Sequence, residues 1–255
     1  MLVAVAGVAG LSAHAQGVPV FGYNLHKTYP HDPAAFTQGL FFNGGFLFES
    51  TGMVGKSTIR KVDPETGRVI RVENFPSGVF GEGIVSWQNR LLGLSWRKRT
   101  GYVWALESFA LQETFSYGGE GWGLTHDGTS LIMSDGTSEL RFLDPETFEE
   151  QRRITVKLGK KTLPYLNELE WVNGEILANV WQTNYIAQID PASGQVRGLI
   201  NLTGLLKPEH IAGRRVDVLN GIAVAEDGKL WVTGKYWPLM FVITPGQEPI
   251  GYVNQ

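Results

Sequence analysis

Five segments of this chain begin alike and recur at a spacing that few architectures accept. They are "QGLFFNGGFLFEST" from Gln38, "EGIVSWQNRLLGLSW" from Glu82, "WGLTHDGTSLIMSDG" from Trp122, "NELEWVNGEILANVW" from Asn167 and "NGIAVAEDGKLWVTGK" from Asn220. Each reads as strand, turn, strand. Successive starts lie 44, 40, 45 and 53 positions apart, the period of one propeller blade per repeat. A second marker keeps the same register: "VDPETG" at Val62, "LDPETF" at Leu143 and "IDPASG" at Ile189 are turn signals after a third strand, with weaker copies at Leu106 and Ile243. A four-stranded sheet cannot cover both its faces, so such units stack around an axis to bury them. The expected fold is an all-β, five-bladed β-propeller, one domain over residues 18–255. The longest spacing contains "LTGLLKPEHIAGRR" from Leu202, which reads as an insertion over one face.

Composition agrees with this and removes several function classes. The 32 glycines among 255 residues are scattered, as many tight turns require. A net charge of -3 with no long basic run gives no footprint for nucleic acid or an anionic membrane surface. With no cysteine, thiol nucleophiles, disulfides and cysteine-ligated metals are excluded. Residues 1–10 are small and apolar and Ala13-His14-Ala15 has the form cut by a signal peptidase, so residues 1–15 read as a signal peptide, although no Lys or Arg precedes Lys27. The expectation is an exported protein, periplasmic or secreted and monomeric, whose cleavage exposes Gln16.

The register points to one end of the axis. Gln38, Glu82, Trp122, Asn167 and Asn220 occupy equivalent positions, and hairpin geometry returns Glu49, Ser50, Trp96, Asp135, Trp181 and Lys235 to the same end. Glu120 falls two positions before a repeat start, level with Phe36 and Phe80, which makes Glu82 the better candidate of the two glycine-flanked glutamates. Singly each residue has an ordinary explanation: the tryptophans as core, Lys235 as a surface ion-pair partner, Asn167 and Asn220 as turn caps. For Asn220 the turn cap is preferred. Together they describe an aromatic cup with a carboxylate and an amine in it. His14, His26, His31, His126 and His210 lack metal-ligand spacing. Ser50, Ser95 and Ser134 lie in no nucleophile-elbow sequence and read as structural. "SDGTSE" from Ser134 is a weak calcium signal, far from an EF-hand loop.

The ordered motifs "FTQGL", "FGEGI", "GEGWGLT", "SDGT", "LNELE", "ANVW", "LNGIA" and "TGKYWP" resemble those of the plant-type glutaminyl cyclases, the glutaminyl-peptide cyclotransferases of plants and bacteria. The resemblance runs from about Phe36 to Phe241. It implies a five-bladed propeller that converts the N-terminal glutamine of peptides or proteins to pyroglutamate with release of ammonia and without a cofactor or metal. It places the active site on Phe36, Gln38, Phe80, Glu82, Trp96, Trp122, Asn167, Trp181 and Lys235. Where many relatives have threonine before the first tryptophan, this chain has Ser95.

The chemistry suits those side chains. Cyclisation needs a base to take a proton from the attacking α-amine and an acid to return one to the departing ammonia. A free glutamate titrates near ~4.3, but burial among aromatic rings would raise it toward the ~7.7 to 8.0 of an α-amine, as a proton shuttle requires. Glu82 is assigned that role, with Lys235, Gln38 or Asn167 as donors to the oxyanion and Phe36, Phe80, Trp96, Trp122 and Trp181 holding the substrate folded. A mouth at the end of the axis predicts tolerance of many residues after the glutamine. Two alternatives are a lectin-like binding propeller, which would not need Glu82 and Lys235 to converge, and a calcium-dependent lactonase-type propeller, normally six-bladed with a ring of carboxylate and asparagine ligands.

Overall fold

Asp-Pro turns recur because one side chain closes each of them. Asp63, Asp144 and Asp190 each accept two backbone N–H bonds from the residues two and three positions on, at 2.8 to 3.1 Å, which fixes the corner between a third and a fourth strand. The structure, a computed structural model, describes residues 17–254; the expected leader and its cleavage site lie outside them. Three consecutive units are separate antiparallel four-stranded sheets. The first has strands Thr37–Asn43, Phe46–Thr51, Thr58–Val62 and Val69–Asn74. The second has Gly81–Trp87, Arg90–Ser95, Thr100–Ala105 and Leu111–Ser116. The third has Leu124–His126, Leu131–Ser134, Glu139–Leu143 and Glu150–Thr155.

The last two repeats merge into one eight-stranded sheet. Leu166–Val172, Glu175–Val180, Tyr185–Ile189 and Val196–Asn201 form the fourth unit; Leu219–Val224, Leu230–Gly234 and Leu239–Val253 belong to the fifth. The strand that completes the fifth comes from the other end of the chain. Val18–Pro30 pairs antiparallel with Leu239–Val253, from Val18↔Val253 to Pro30↔Leu239, and parallel with the fourth unit at Val20↔Leu199 and Phe21↔Ile200. This overturns the turn expected at Ile243. That residue pairs with both Leu25 and Leu230 inside a continuous strand, because the N-terminal segment supplies its missing partner.

The first strands of the units lie side by side in a closed ring: first against second, second against third, third against fourth, fourth against fifth, fifth against first. Among the described residues a separate apolar cluster fills each junction. Phe41, Phe48, Ile84 and Trp104 join the first and second units; Val85, Leu92, Leu131 and Met133 the second and third; Ile132, Phe142, Leu166 and Ala178 the third and fourth; Leu177, Ile186, Ile222 and Phe241 the fourth and fifth; Leu40, Leu47, Ala223 and Val242 the fifth and first.

The fifth-to-first junction also carries a buried ion pair. His31 Nε2 donates to Glu49 Oε1 at 2.9 Å and its Nδ1 to the Trp237 carbonyl at 2.6 Å, and Thr37 Oγ1 adds a 2.8 Å bond to Glu49. Burial alone would push the imidazole down, but the Glu49 charge and these hydrogen bonds hold His31 above its ordinary value. Glu49 is held low: its burial, which opposes this, is overcome by His31, Arg60 and Thr37. Glu49 therefore belongs to the junction and not to the mouth, where the hairpin register had placed it. The insertion after the fourth unit contains the short helix Pro208–Ile211, ended by the left-handed Ala212 and Gly213.

Candidate active site

Four of the five innermost strands break register where the repeat places the candidate residue; in the third unit Trp122 precedes the strand Leu124–His126, which pairs without a shift. Pairing skips between Thr37 and Gly39, Gly81 and Ile84, Leu166 and Leu169, and Leu219 and Ile222, so Gln38, Glu82, Asn167 and Asn220 sit on bulges. A bulge frees one residue from the ladder and re-aims its side chain. The glycines that follow have a separate cause. A Cβ on Gly83 would lie 2.6 Å from the Leu124 nitrogen and the Trp122 carbonyl oxygen, and one on Gly123 would lie 2.1 Å from the Asn167 carbonyl oxygen. The backbone of the next unit packs directly on them, and Gly83 N–H donates to the Trp122 carbonyl at 2.6 Å. Gly83 and Gly123 thus seat neighbouring units against each other while the residue before each of them faces the mouth.

The strand-end serines serve the same joints. Ser50 Oγ donates to the Glu82 carbonyl at 2.6 Å and Ser134 Oγ to the Asn167 carbonyl at 2.7 Å, each across a unit boundary. They tie down the backbone beneath two candidate residues.

All nine residues expected at the site line one cavity of about 780 Å³. Gln38, Glu82, Asn167 and Lys235 are buried, while Phe36, Phe80, Trp96, Trp122 and Trp181 are half-buried around them. The rings meet edge to face: Phe36 on Phe80 at 6.0 Å, Phe80 on Trp96 at 5.5 Å and Trp122 on Trp181 at 5.6 Å between centroids. The Lys235 ammonium stands 4.7 Å from the Phe36 ring centroid.

Burial dominates the electrostatics. It drives the Glu82 carboxyl well above the ordinary carboxylate range; the Lys235 charge opposes this and the Glu120 charge adds to it. Burial also lowers the Lys235 ammonium, against the attraction of Glu82 and Asp217. Both groups are moved toward the neutral range where a proton can be exchanged with an amine.

Three arrangements were not legible in the repeat. Glu120, set aside because it lies out of register, is in the cavity wall and clamps two of the tryptophans: its Oε2 accepts from Trp96 Nε1 at 2.7 Å and Trp122 Nε1 at 3.0 Å, and its Oε1 from Arg97 Nε at 2.9 Å. Burial pushes this carboxyl up, but the bonds from Trp122, Trp96 and Arg97 together hold it below its usual value. Asn220 is no turn cap. It is fully buried, and its Nδ2 donates to the Thr37 carbonyl at 2.9 Å and to Gln38 Oε1 at 3.3 Å, which leaves the Gln38 amide nitrogen as the free donor. Asn167 Oδ1 is buried with no partner among the described residues, and a buried acceptor in a cavity wall calls for a donor from a ligand.

Glu168, one residue along, serves elsewhere. Its Oε1 and Oε2 accept the backbone N–H groups of Leu40 and Ile222 at 3.3 and 2.8 Å, bracing the ring of inner strands. Asp135 reaches the cavity wall, yet its carboxylate is taken by Thr137 and lies 3.4 Å from Arg141, a cationic neighbour that disfavours a bound calcium. Among the described residues no three His, Asp or Glu side chains converge in a way that could hold a metal ion.

A family model described as glutamine cyclotransferase matches residues 1–244. The chain is 45% identical over 222 residues to a glutaminyl-peptide cyclotransferase of Arabidopsis thaliana, covering 84% of this chain and 68% of that one. The crystal structure of the Myxococcus xanthus glutaminyl cyclase superposes with a TM-score of 0.83 at 36% identity, covering 90% of this chain and 98% of that one. The WD40 β-propeller domain of Doa1 shares the fold alone, with a TM-score of 0.50 at 15% identity over 82% of this chain and 63% of that one.

Proposed function

The chain belongs to the glutamine cyclotransferase family, and from that premise we propose how it works as a glutaminyl-peptide cyclotransferase. The substrate is a peptide or protein with N-terminal glutamine, the site is the cavity around Glu82, and the catalysis is general acid/base without a metal. The observation that carries this is a deeply buried carboxyl, raised by burial, in an aromatic cup within electrostatic reach of an ammonium.

The substrate's α-amine nitrogen attacks its own side-chain carboxamide carbon. Glu82, as carboxylate, takes a proton from that nitrogen as the new C–N bond forms. The oxyanion that develops on the former amide oxygen meets the Lys235 ammonium and the Gln38 amide N–H, the latter pre-set by Asn220. Collapse breaks the bond to the original amide nitrogen, Glu82 returns the proton to it, and ammonia leaves. Asn167 Oδ1 accepts an N–H of the bound glutamine, and the cup of Phe36, Phe80, Trp96, Trp122 and Trp181 holds the side chain folded toward its amine. The ring of inner strands and its junction clusters support reading the fold as a five-bladed propeller. Ala13-His14-Ala15 supports export to the periplasm or the exterior.

Mass spectrometry of a synthetic peptide with N-terminal glutamine, incubated with wild type, with Glu82→Gln and without enzyme, tests this. Wild type accelerates the 17 Da loss of ammonia and the variant does not; a chelator leaves the wild-type rate unchanged. An active Glu82→Gln variant refutes the shuttle, and inactivation by chelator refutes metal independence.

A further inference from the structure

A second cavity, of about 680 Å³, opens beside the first, and Phe36 lies in the wall of both. Its lining is apolar or neutral at Ala34, Gly52 and Tyr236 and cationic at Lys56, Arg60, Arg214 and Arg215. Arg60 is committed to Asp32 at 2.7 Å. Lys56, Arg214 and Arg215 are exposed, and among the described residues none has a carboxylate within ion-pair distance. In a chain of net charge -3, three uncompensated cations around one hollow create a local positive potential against the overall sign.

The two cavities are joined by a ladder of side chains. The Phe36 ring meets Tyr236 at 5.1 Å, and the Arg215 guanidinium lies 5.9 Å from the Tyr236 ring centroid. Arg214 and Arg215 come from the insertion after the fourth unit, folded back by the left-handed pair Ala212 and Gly213 and by the bond from Arg214 N–H to the Ile211 carbonyl at 2.9 Å. The segment that breaks the repeat spacing is therefore the one that brings charge to the mouth.

We propose that this cavity is a subsite for the peptide that follows the N-terminal glutamine, and that it favours acidic side chains there. The proposal rests on the first cavity being the glutamine site. A peptide leaving that site past Phe36 advances about 3.3 to 3.6 Å per residue, which carries its second to fourth residues over the second cavity. Tolerance of many side chains at the mouth is kept; the bias is one of charge. Exposed ion pairs are individually weak and fade with salt, so the preference is moderate and ionic-strength dependent.

The test compares peptides of the form Gln-Xaa-Xaa-Ala with Xaa as Asp, Ala or Lys, by ammonia release, at low and high salt. The Asp peptide exceeds the Lys peptide in kcat/KM by about three- to tenfold at low salt, and the ratio falls toward one at high salt. In Lys56→Ala/Arg214→Ala/Arg215→Ala the ratio is near one at both, and in Arg214→Glu/Arg215→Glu it inverts. Each ratio is taken within one protein preparation, so a partly folded variant lowers both peptides together and leaves it readable. Equal Asp and Lys rates in wild type at low salt, with the Ala peptide turned over, overturn the subsite and leave the glutamine site standing. No turnover of any peptide overturns the glutamine site, and the subsite with it.

Discussion

Glu120→Gln separates clamping of the cup from proton transfer within it. The glutamine keeps one oxygen able to accept from Trp96 Nε1 and Trp122 Nε1, now at 2.7 and 3.0 Å from Glu120 Oε2, but turns an N–H donor toward Arg97 Nε, now at 2.9 Å. Arg97 is largely exposed, so its pair contributes only about 0.2 to 1 kcal/mol. The two indole bonds fall from the charge-assisted range of about 1.5 to 3 kcal/mol to the neutral range of about 0.5 to 1.5. Roughly 2 to 4 kcal/mol of clamping is therefore lost. About half of it, expressed in the closed cup around substrate, lowers kcat/KM by about 5- to 30-fold. The acid limb of the pH profile moves as well. The Glu120 charge helps to hold the Glu82 carboxyl up, so its removal lowers Glu82 and carries the acid limb to lower pH. The assay is kcat/KM against pH on a neutral glutaminyl peptide at fixed ionic strength. A rate within twofold of wild type with an unmoved acid limb refutes the clamp; complete loss of turnover at every pH assigns the proton transfer to Glu120.

The buried pair at the ring closure gives stability a pH window. His31 is raised, so its contribution is complete below the unfolded imidazole value and is lost as pH rises through the folded one; Glu49 is lowered, so its contribution is present above the unfolded carboxyl value and is lost as pH falls through the folded one. Urea midpoints of wild type fall on both sides of that window, and Glu49→Ala, which strands His31, costs about 3 to 5 kcal/mol inside it; an unaltered midpoint at mildly acid pH would show the pair to be inert. Gly123→Ala drives a Cβ to 2.1 Å from the Asn167 carbonyl oxygen, a backbone atom that cannot step aside, and is expected to cost about 1 to 3 kcal/mol or more. Gly44→Ala, which meets nothing within 4 Å at φ 57°, costs only the left-handed backbone penalty of about 1 kcal/mol. Thermal melts of the two variants side by side check the order, and equal losses contradict the close-approach reading.

Much of the fold was legible because it is local. A hairpin with its glycine turn and an Asp-Pro corner closed by its own aspartate each announce themselves within a few residues, and 40 to 53 positions later they do so again. What was not legible was long-range. Nothing near Ile243 says that Val18–Pro30 will lie along it, so a Thr-Pro that continues a strand read as a turn. Glu49 was misplaced for the same reason: its partner His31 sits on the segment that closes the ring, outside every repeat.

The candidate site follows a similar division, with one instructive exception. Gln38, Glu82 and Asn167 were found because the repeat puts them at one level, and the bulges at those positions are how the strand turns a ladder residue toward the axis. Glu120 escaped because it acts through the tryptophans of two units, and a repeat register compares equivalent positions, never complementary ones. The signal that would have found it is chemical: an anion between two glycines, two positions before an indole, needs N–H donors, and indoles are donors only. The same reasoning separates the two glycine-flanked glutamates. Beside Glu82, Gly83 lets the next unit approach, and among the described residues no hydrogen bond holds the carboxyl down; around Glu120 the carboxyl is surrounded by donors that keep it ionised. One sequence pattern thus yields a carboxyl raised toward the range of an amine and another kept charged to hold the walls around it, and the difference lies in which neighbours can donate a proton.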